Sequence, residues 1–332
     1  MAVVVSFVVI GEGRPARAIL DVIGNAPGAT INALFVEAPR QNPLAEFAGQ
    51  HGINVFDKGE LASECRRLAD SADTWLVNAN STLIIPAEVL DVFEGRSLNF
   101  HPGLLPEYAG LHTHQWAIRN GEREFGVTVH RMERRLDAGA VVGQVRFPIR
   151  AEDTGLTLFS RCLSAGAELF SRIIAQIIAG EALIDVPQDL TRRRLYRHRD
   201  ALEDRIDWNE TAVRVIDFIR AGNYEPFASP SYVARLEKIA GCNIKVLRAT
   251  KAEATSAQPG TVVDVSAAGP LIACGDGASI RIVKAVDGRQ VMSAERWAEY
   301  LSHLPGRRLI GRRDLQGALE PSGERESIVG AQ

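Results

Sequence analysis

The sequence predicts an α/β protein in which a parallel sheet covered by helices is followed by a smaller β-rich domain. Short β-branched runs alternate with amphipathic stretches over the first 180 residues, a pattern typical of strands and helices that alternate along a parallel sheet. After residue 240 the pattern changes to short apolar runs separated by glycine-containing turns, which indicates β-structure. The length of 332 residues fits two domains.

The predicted strands of the first half are continuous apolar runs, as expected for a parallel sheet that is buried on both faces. They lie at 3–10, 31–36, 74–78, 96–100, 126–132 and 140–149. Helical periodicity predicts helices at 14–25, 42–50, 58–70 and 155–180. In the second half a helix is expected near 210–221, and a barrel-like sheet is expected from runs at 243–249, 260–265, 270–274 and 279–286.

These patterns divide the chain into four parts. Residues 1–182 are the predicted first domain, 183–204 a linker, 205–311 the β-rich domain, and 312–332 a disordered tail. The linker contains a basic tract at 192–199, with Glu203, Asp204 and Asp207 shortly after it. We interpret the tract as a solvated connector with partly paired charges, the alternative being contact with nucleic acid.

Composition argues against several classes of protein. The formal charge of −3 gives no global attraction to nucleic acid or anionic lipid. The four cysteines are too far apart for zinc-type pairs, so we expect buried or incidental thiols in a cytoplasmic protein. The apolar start has no basic segment before it and is too short to span a bilayer, which predicts a soluble protein without membrane contact.

A glycine-rich turn follows the first predicted strand. The string Gly11-Glu12-Gly13-Arg14-Pro15-Ala16 fits the pattern with which dinucleotide-binding proteins hold a pyrophosphate at a helix N-terminus, and Glu37 lies just past the next strand. One hypothesis is therefore an oxidoreductase that binds NAD(P) or flavin. The alternative is a strand-to-helix turn that needs glycine for its shape, where Gly11 and Gly13 border a substrate pocket.

Three polar residues form a candidate catalytic group. Asn99 and His101 lie two apart on a predicted strand, so their side chains share a face. An amide that donates to an oxyanion and an imidazole that relays a proton suit carbonyl chemistry. Asp137, in a turn between two predicted strands, is placed to orient His101 and stabilise its protonated form. Taken singly, the three are also compatible with a turn cap, a core histidine and a turn residue.

The residues around Asn99 and His101 resemble a family signature. The string Asn99-Phe100-His101-Pro102-Gly103-Leu104-Leu105-Pro106, with Gly110 after it, is similar to the active-site sequence of the folate-dependent formyltransferases, in which an N-x-H pair and a Leu-Leu-Pro turn precede a D-x-G. Asp137 follows His101 by 36 residues, similar to the family's separation, and 126–132 resembles its G-V-T strand. Gly103 departs from the pattern, because many members carry serine there; we expect the triad to remain intact.

The resemblance extends over about residues 3–310. Segments 205–208 and 258–277 are similar to the carboxy-terminal domain of methionyl-tRNA formyltransferases. The strings at 130–132, 137–140 and 271–277 are similar to the formyltransferase part of the enzyme that modifies UDP-4-amino-4-deoxy-arabinose. The resemblance thus implies a Rossmann-like catalytic domain in 1–182 and an OB-like domain in 205–311.

What the family implies is formyl transfer from 10-formyltetrahydrofolate to a primary amine or hydroxylamine, without a metal. By resemblance, Asn99 and His101 stabilise the tetrahedral oxyanion, and His101 handles protons with Asp137 behind it. The segment 78–86 matches the part of the family that lines the pterin pocket. The residues assigned to the folate by this resemblance are Asn80, Thr82, Leu83, Ile84, Ile85 and Asp137.

The acceptor is predicted to be a small molecule such as an amino-sugar nucleotide or a siderophore precursor. Methionyl-tRNA formyltransferases carry a basic insertion after the second strand, whereas segment 37–44 here is short and holds one arginine. RNA binding needs several cations, so tRNA is the alternative acceptor. His112 and His114 follow Gly110 and are candidate acceptor contacts, with a surface helix as the other interpretation and no third metal ligand nearby.

A homodimer is compatible with this sequence. Two further alternatives from other classes are a non-catalytic folate-binding module and the NAD(P)-binding oxidoreductase. The intact group of Asn99, His101 and Asp137 argues against a module without catalysis.

Overall fold

The structure is a computed structural model, and it describes residues 4–69, 73–237, 241–304, 306 and 308–309. These residues divide into two compact units. The first unit contains the chain up to Ala201 except Ile118–Gly121, and the second contains Ile118–Gly121 and the chain from Leu202 onward. The predicted tail at 312–332 lies outside the described residues.

The first unit is built on a mixed sheet of seven strands. The strands of the unit are β1 (Val5–Gly11), β2 (Ala29–Val36), β3 (Asn54–Asp57), β4 (Thr74–Ala79), β5 (Ser97–His101), β6 (Ala109–Gly110), β7 (Glu124–Arg131), β8 (Val141–Pro148) and β9 (Leu195–Tyr196). The short strands β6 and β9 form a separate pair outside the seven-stranded sheet. The order in the sheet is β3-β2-β1-β4-β5-β7-β8, and β6 pairs with β9. The first five strands in this order are parallel, whereas β7 and β8 are antiparallel.

The predicted fold class is confirmed, with the difference that β7 runs opposite to the other strands, so that the pairs β5–β7 and β7–β8 are antiparallel. A short turn joins β7 to β8, and only antiparallel neighbours can be joined without a long crossover. Of the strands present, β3 has only four residues and was not predicted. The mixed sheet therefore combines a parallel core with an antiparallel edge.

Six helices in the first unit cover the sheet. They are α1 (Gly13–Gly24), α2 (Pro43–Gln50), α3 (Leu61–Leu68), α4 (Ala87–Phe93), α5 (Thr113–Arg119) and α6 (Gly155–Ile178). Helix α6 begins at a capping box in which Thr154 and Thr157 exchange side-chain and backbone hydrogen bonds. Its buried face includes the apolar positions predicted from the sequence, among them Leu158, Leu169 and Ile177. Burial of this stripe is the principal source of the helix's stability.

The topology brings three chain segments to one edge of the sheet. Strands β4 and β5 are parallel neighbours, with Asn78 opposite Asn99 in the register. Strand β7 is the antiparallel partner of β5, and Asn99 lies opposite His130. The carboxyl ends of β4 and β5 therefore lie beside β7, at the edge where α/β proteins most often carry their binding sites.

The second unit is built on an antiparallel sheet. It contains α7 (Ala212–Gly222), β10 (Ile244–Ala254), β11 (Val262–Ser266), β12 (Gly269–Ala273), β13 (Ala278–Asp287), β14 (Gln290–Val291) and α8 (Ala294–Ser302). The strand order is β10-β13-β12-β11, and β14 pairs with β13. Trp208, Trp297 and Tyr300 are the large aromatic residues of its core. The β-rich second domain was predicted, whereas α8 was not.

Among the described residues, no helix combines the length and the apolar character that crossing a bilayer requires.

Candidate active site

The structure places Asn99, His101 and Asp137 next to one another. Asn99 and His101 are at the end of β5, and Asp137 lies in the turn between β7 and β8. Asn99 Nδ2 is 3.4 Å from Asp137 Oδ1, and His101 Nδ1 is 3.8 Å from Asp137 Oδ2. His101 and Asp137 are both more than nine-tenths buried, so their contacts are shielded from bulk water.

The turn that carries Asp137 is held from a distant part of the chain. Asp137 has a φ of +50°, a left-handed conformation that residues with side chains rarely adopt. Gln188 Nε2 donates to the carbonyl oxygens of Asp137 and Gly139, at 3.1 and 2.7 Å. A Cβ at Gly139 would lie 2.1 Å from the carbonyl oxygen of Arg131. These contacts fix the turn with the Asp137 carboxylate directed toward the end of β5.

The Asp137 carboxylate is held as an anion. Its Oδ2 accepts a hydrogen bond of 2.8 Å from the backbone N–H of Gly110, and its Oδ1 lies 3.5 Å from His130 Nε2. Burial alone would raise the pKa of Asp137, but the positive charge that His101 and His130 carry when protonated, together with the Gly110 N–H, favours the carboxylate and holds the pKa well below its usual value. The negative charge is therefore present at neutral pH.

The His101 ring is oriented by a backbone carbonyl. Its Nε2 lies 2.6 Å from the carbonyl oxygen of Tyr108. A carbonyl only accepts, so Nε2 carries the hydrogen and Nδ1 faces Asp137 with its lone pair. Burial lowers the pKa of His101, although Asp137 and the Tyr108 carbonyl oppose this effect. The prediction that Asp137 orients the ring is corrected accordingly: Tyr108 orients it, and Asp137 lies where it stabilises a proton on Nδ1.

His130 belongs to the same cluster, although it lies on an apolar strand and was not assigned to the site from the sequence. Its Nδ1 lies 2.7 Å from the carbonyl oxygen of Arg131, and its Nε2 lies 2.9 Å from Asn99 Nδ2. Nδ1 is thus the donor, and Nε2 accepts from the Asn99 amide. Asn99 Nδ2 consequently points one hydrogen at His130 and the other at Asp137. The one feature of the sequence that could have pointed to His130 is its position on the predicted strand 126–132, which pairs with β5.

The loop after His101 is fastened to β7 and β8. Thr128 Oγ1 donates to the Gly103 carbonyl oxygen at 2.7 Å, and Gln144 Nε2 donates to that of Leu105 at 3.1 Å. A Cβ at Gly103 would lie 2.6 Å from both His101 Nε2 and the Tyr108 carbonyl oxygen. Glycine at this position thus permits the hydrogen bond that orients His101.

The predicted folate segment follows β4 at the same edge of the sheet. The backbone of Asn80 has a φ of +67°, and Ser81 N–H donates to Asn78 Oδ1 at 3.1 Å. Leu83 and Ile85 pack against the apolar core, and the predicted residues directed to solvent are Asn80, Thr82 and Ile84. The segment therefore presents its backbone and these three side chains, while Leu83 and Ile85 anchor it.

The glycine-rich turn after β1 has a packing explanation. A Cβ at Gly11 would lie 2.4 Å from the carbonyl oxygen of Ala79, so only glycine lets β1 and β4 approach so closely. The Glu12 carboxylate accepts hydrogen bonds from Glu37 N–H and Asn42 Nδ2, at 2.7 and 3.1 Å. Glu37, the candidate ribose ligand of a dinucleotide site, is ion-paired with Lys58 at 2.7 Å. A carboxylate at the turn repels a pyrophosphate, which argues against the dinucleotide hypothesis.

His112 and His114 have different environments. His112 Nε2 lies 2.8 Å from His198 Nδ1, and burial, with His198 second, lowers the pKa of His112 to about 4. His114 is 4% exposed and contacts Phe159, with ring centroids 5.0 Å apart. Burial, with His112 second, lowers the pKa of His114 to about 3. The surface-helix interpretation is therefore wrong for His114.

Histidine, cysteine, aspartate and glutamate are the side chains that could form a metal centre. In the described part of the chain, no group of three or more of them is placed to hold a metal ion. Three of the four cysteines are buried thiols, as the sequence predicts: Cys65, Cys162 and Cys274.

The cluster at the end of β5 can perform acyl-transfer chemistry. Asn99 offers amide N–H donors for a developing oxyanion. His101 Nδ1 is unprotonated and faces a fixed carboxylate, so it can accept a proton and form a stabilised imidazolium. Asp137 supplies that stabilisation and cannot easily be neutralised.

The sequence pattern of formyl transferases matches residues 25–174, and that of the formyl transferase C-terminal domain matches residues 200–301. The methionyl-tRNA formyltransferase of Anaeromyxobacter dehalogenans is 32% identical over 301 residues, which cover 85% of this chain and 93% of that protein. The methionyl-tRNA formyltransferase of Paraburkholderia phymatum is 31% identical over 252 residues, or 71% of this chain and 74% of that one.

A solved structure shows the same fold. It is an N-formyltransferase from Helicobacter canadensis in complex with folinic acid and dTDP-3-aminofucose, with a TM-score of 0.65, 21% identity, and coverage of 84% of this chain and 99% of that chain. The sequence matches extend over both units and most of the described residues. The chain therefore belongs to the formyltransferase family, a family of formyl-transferring enzymes.

Proposed function

We propose that this protein transfers the formyl group of 10-formyltetrahydrofolate to the amine of a small-molecule acceptor, with an amino-sugar nucleotide as the favoured class. The observation that carries the proposal is the buried cluster of Asn99, His101 and Asp137. The Helicobacter canadensis N-formyltransferase, which has a similar fold, was crystallised with a folate and an amino-sugar nucleotide.

In the proposed reaction the acceptor nitrogen attacks the formyl carbon of the donor. Asn99 Nδ2 exchanges its long contact with Asp137, at 3.4 Å, for the oxyanion of the tetrahedral species. His101 Nδ1 takes the proton that leaves the attacking nitrogen and returns it to N10 of the donor as the C–N10 bond breaks. Asp137 stabilises the imidazolium while the proton resides there.

The segment after β4 is proposed to hold the pterin. Asn80, Thr82 and Ile84 are exposed, and the irregular backbone of this segment leaves N–H and C=O groups available for the edge of a flat heterocycle. Leu83 and Ile85 pack on the core and so hold this backbone in place. Asp137, in the turn between β7 and β8, completes the proposed folate contacts.

Methionyl-tRNA is the alternative acceptor, because relatives at 31–32% identity carry that name. The structure offers little basic surface after β2. Glu37 is paired with Lys58, and Asn42 caps α2 by accepting from Leu44 N–H at 3.0 Å. Arg40 is the single arginine in this segment, whereas RNA binding depends on several phosphate contacts. We therefore favour a small acceptor.

The test is a screen of acceptors with 10-formyltetrahydrofolate. Amino-sugar nucleotides, hydroxylamines of the N-hydroxyornithine type and methionyl-tRNA are offered in parallel, and mass spectrometry detects the gain of one formyl group. We expect formylation of a sugar nucleotide and slow reaction with methionyl-tRNA at physiological salt. Efficient turnover of methionyl-tRNA alone would reverse the choice of acceptor. A thermal shift with NAD but none with 5-formyltetrahydrofolate would overturn the proposed function itself.

A further inference from the structure

The basic tract that the sequence analysis interpreted as a solvated connector lies against the active-site loop. Strand β9 pairs in parallel with β6, and the two flanking backbone hydrogen bonds run from Arg194 N–H to the Pro106 carbonyl oxygen and from Ala109 N–H to that of Arg194, at 3.3 and 3.0 Å. The tract is therefore a fixed part of the first unit. Its arginines are held at defined positions beside the catalytic cluster.

Arg193 is the member of this tract that lies nearest to the cluster. Its Nη2 donates to the carbonyl oxygen of Leu136 at 2.8 Å, next to Asp137 in sequence. Its Nε is buried and has no hydrogen-bond partner within the described residues. A buried N–H without an acceptor is unfavourable, and a ligand oxygen would remove that cost. The Arg193 guanidinium is thus held through Nη2 by the Leu136 carbonyl, while its Nε–H has no acceptor in the described part of the chain.

Arg135 brings a second positive charge to the same place. Burial and then the neighbouring Arg135 lower the pKa of Arg193, whereas the Asp137 carboxylate raises it. The Arg193 guanidinium is thus repelled by a like charge and attracted by the carboxylate of the cluster. Neither has a carboxylate within ion-pair distance in the described part of the chain. The exposed carboxylate of Glu133, on the same turn, forms no ion pair with them there.

Other arginines of the two segments do have acidic partners. Arg192 pairs with Glu107, and Arg199 pairs with Asp200. Arg134 pairs with Asp91 at 3.4 Å. Among the described residues Arg135 and Arg193 have no ion pair, and neither do the exposed Arg194 and Arg197. Arg193 is distinguished by its contact with the turn that carries Asp137, whose own carboxylate is committed to the catalytic contacts.

We propose that Arg193 and Arg135 bind the phosphate or diphosphate group of the acceptor. The proposal rests on the proposed function, because it names the chemical class of the molecule that brings the amine to this site. Arginine suits the task, since its planar fork donates two parallel hydrogen bonds to phosphate oxygens. Because the Arg193 guanidinium is half-buried and held by the Leu136 carbonyl, it suits a small anion bound in one orientation. An RNA backbone needs several exposed cations in a row. Two arginines of the tract are paired with Glu107 and Asp200, whereas Arg194 and Arg197 are exposed without an ion pair among the described residues, so tRNA affinity is one outcome of the test.

The test is titration calorimetry of the full-length protein with inorganic pyrophosphate as the anion and, separately, 5-formyltetrahydrofolate. The variants are Arg193→Ala, Arg193→Lys and Arg135→Ala, with Arg172→Ala, an exposed arginine of α6, as the matched control. We expect Arg193→Ala to weaken pyrophosphate binding by about tenfold or more, the loss of a charge-assisted hydrogen bond. Arg193→Lys, which keeps the charge and loses the fork, should lie between alanine and wild type, and Arg172→Ala should match wild type.

The folate arm identifies the source of the anion. Affinity for 5-formyltetrahydrofolate should stay within about twofold of wild type in every variant, and a loss parallel to that for pyrophosphate would assign the arginines to the folate carboxylates and overturn the proposal. Equal pyrophosphate binding by wild type and Arg193→Ala would also overturn it. So would an Arg193→Ala protein that loses affinity for uncharged tRNA but not for pyrophosphate. A wild-type protein that binds pyrophosphate through Arg193 and no folate would instead overturn the proposed function alone.

Discussion

The first unit contains two pairs of neighbouring histidines, and only one pair has a carboxylate between its members. Asp137 lies 3.8 Å from His101 and 3.5 Å from His130, whose ring centroids are 6.3 Å apart. His112 and His198 contact each other directly, at 2.8 Å. In the described part of the chain, neither of these two has an acidic partner at ion-pair distance.

The difference lies in how the protons of the rings are fixed. His101 and His130 each donate to a backbone carbonyl, that of Tyr108 or Arg131. The second nitrogen of each ring therefore faces the Asp137 side with its lone pair, which in His130 accepts from the Asn99 amide. In the other pair one ring must donate to the other, and nothing fixes which one does so. The first arrangement is suited to moving a proton, whereas the second joins the tract at 192–199 to the loop after β6.

The largest effect on turnover is expected from removing the negative charge of Asp137, which lies between His101 and His130. Asp137→Asn keeps the shape of the side chain but cannot stabilise a proton on His101 Nδ1, so we expect kcat for formyl transfer to fall by about 10³-fold or more. The measurement is turnover of the acceptor found in the screen, with thermal unfolding as a test of the fold.

The matched control changes a histidine of the other pair. His198→Asn should leave kcat within about threefold of wild type, as expected for an exposed substitution. If Asp137→Asn kept a tenth of the wild-type kcat, Asp137 would not be part of the proton path.

Gly103→Ala tests the carbonyl that orients His101. The new Cβ would lie 2.6 Å from both His101 Nε2 and the Tyr108 carbonyl oxygen, and it would push the two apart. We expect kcat to fall by about ten- to a hundredfold, with little change in the affinity for 5-formyltetrahydrofolate. Gly49→Ala, on α2 with no atom within 4 Å of the added Cβ, should behave as wild type. Unchanged turnover in Gly103→Ala would mean that the Tyr108 contact is dispensable.

The sequence carried enough information for Asn99, His101 and Asp137 because each is marked by local pattern. Two of them lie on an apolar strand at the two-residue spacing that puts side chains on one face, and the third lies in a glycine-containing turn. The strands and long helices were predicted for the same reason, since their periodicity extends over many residues. Helices α4 and α5 have seven residues each, too few for a periodicity to be recognised.

The remainder of the site depends on contacts between distant segments. His130 enters the cluster through the antiparallel register that sets it opposite Asn99, and a single apolar strand does not reveal its partner. Gln188 and Arg193 reach the Asp137 turn from an irregular connector about 50 residues later. Residues in an irregular connector show no hydrophobic periodicity that would predict their contacts. The charge of the tract at 192–199 suggested only a solvated segment.

His130 provides a smaller test of the first pair. His130→Leu removes the acceptor of the Asn99 amide, so the amide can rotate and its donors are less well placed for an oxyanion. We expect kcat to fall about tenfold, with an unchanged KM for the folate and a changed pH profile. His130→Gln, which retains an acceptor, should recover part of the loss. Equal loss in both variants with an unaltered pH profile would indicate a packing role only.

The smallest expected effect concerns the pair His112 and His198. It is a change in the pH dependence of the protein's stability. The folded protein holds the pKa of His112 at about 4, chiefly through burial, whereas an unfolded histidine titrates near 6.5. Between these values the unfolded chain binds a proton that the folded chain does not, so His112 stabilises the fold above about pH 6.5 and this contribution is lost as the pH falls toward 4.

His112→Asn removes this titration and suits the local backbone, because His112 has a φ of +56° and asparagine tolerates that region. We expect its Tm to fall less steeply than that of wild type between pH 6.5 and pH 4.5. Some decline remains, since the pKa values of His101 and His114 are also lowered by burial in both proteins. Thermal unfolding across this range measures the difference, and parallel curves would show that folding does not lower the pKa of His112.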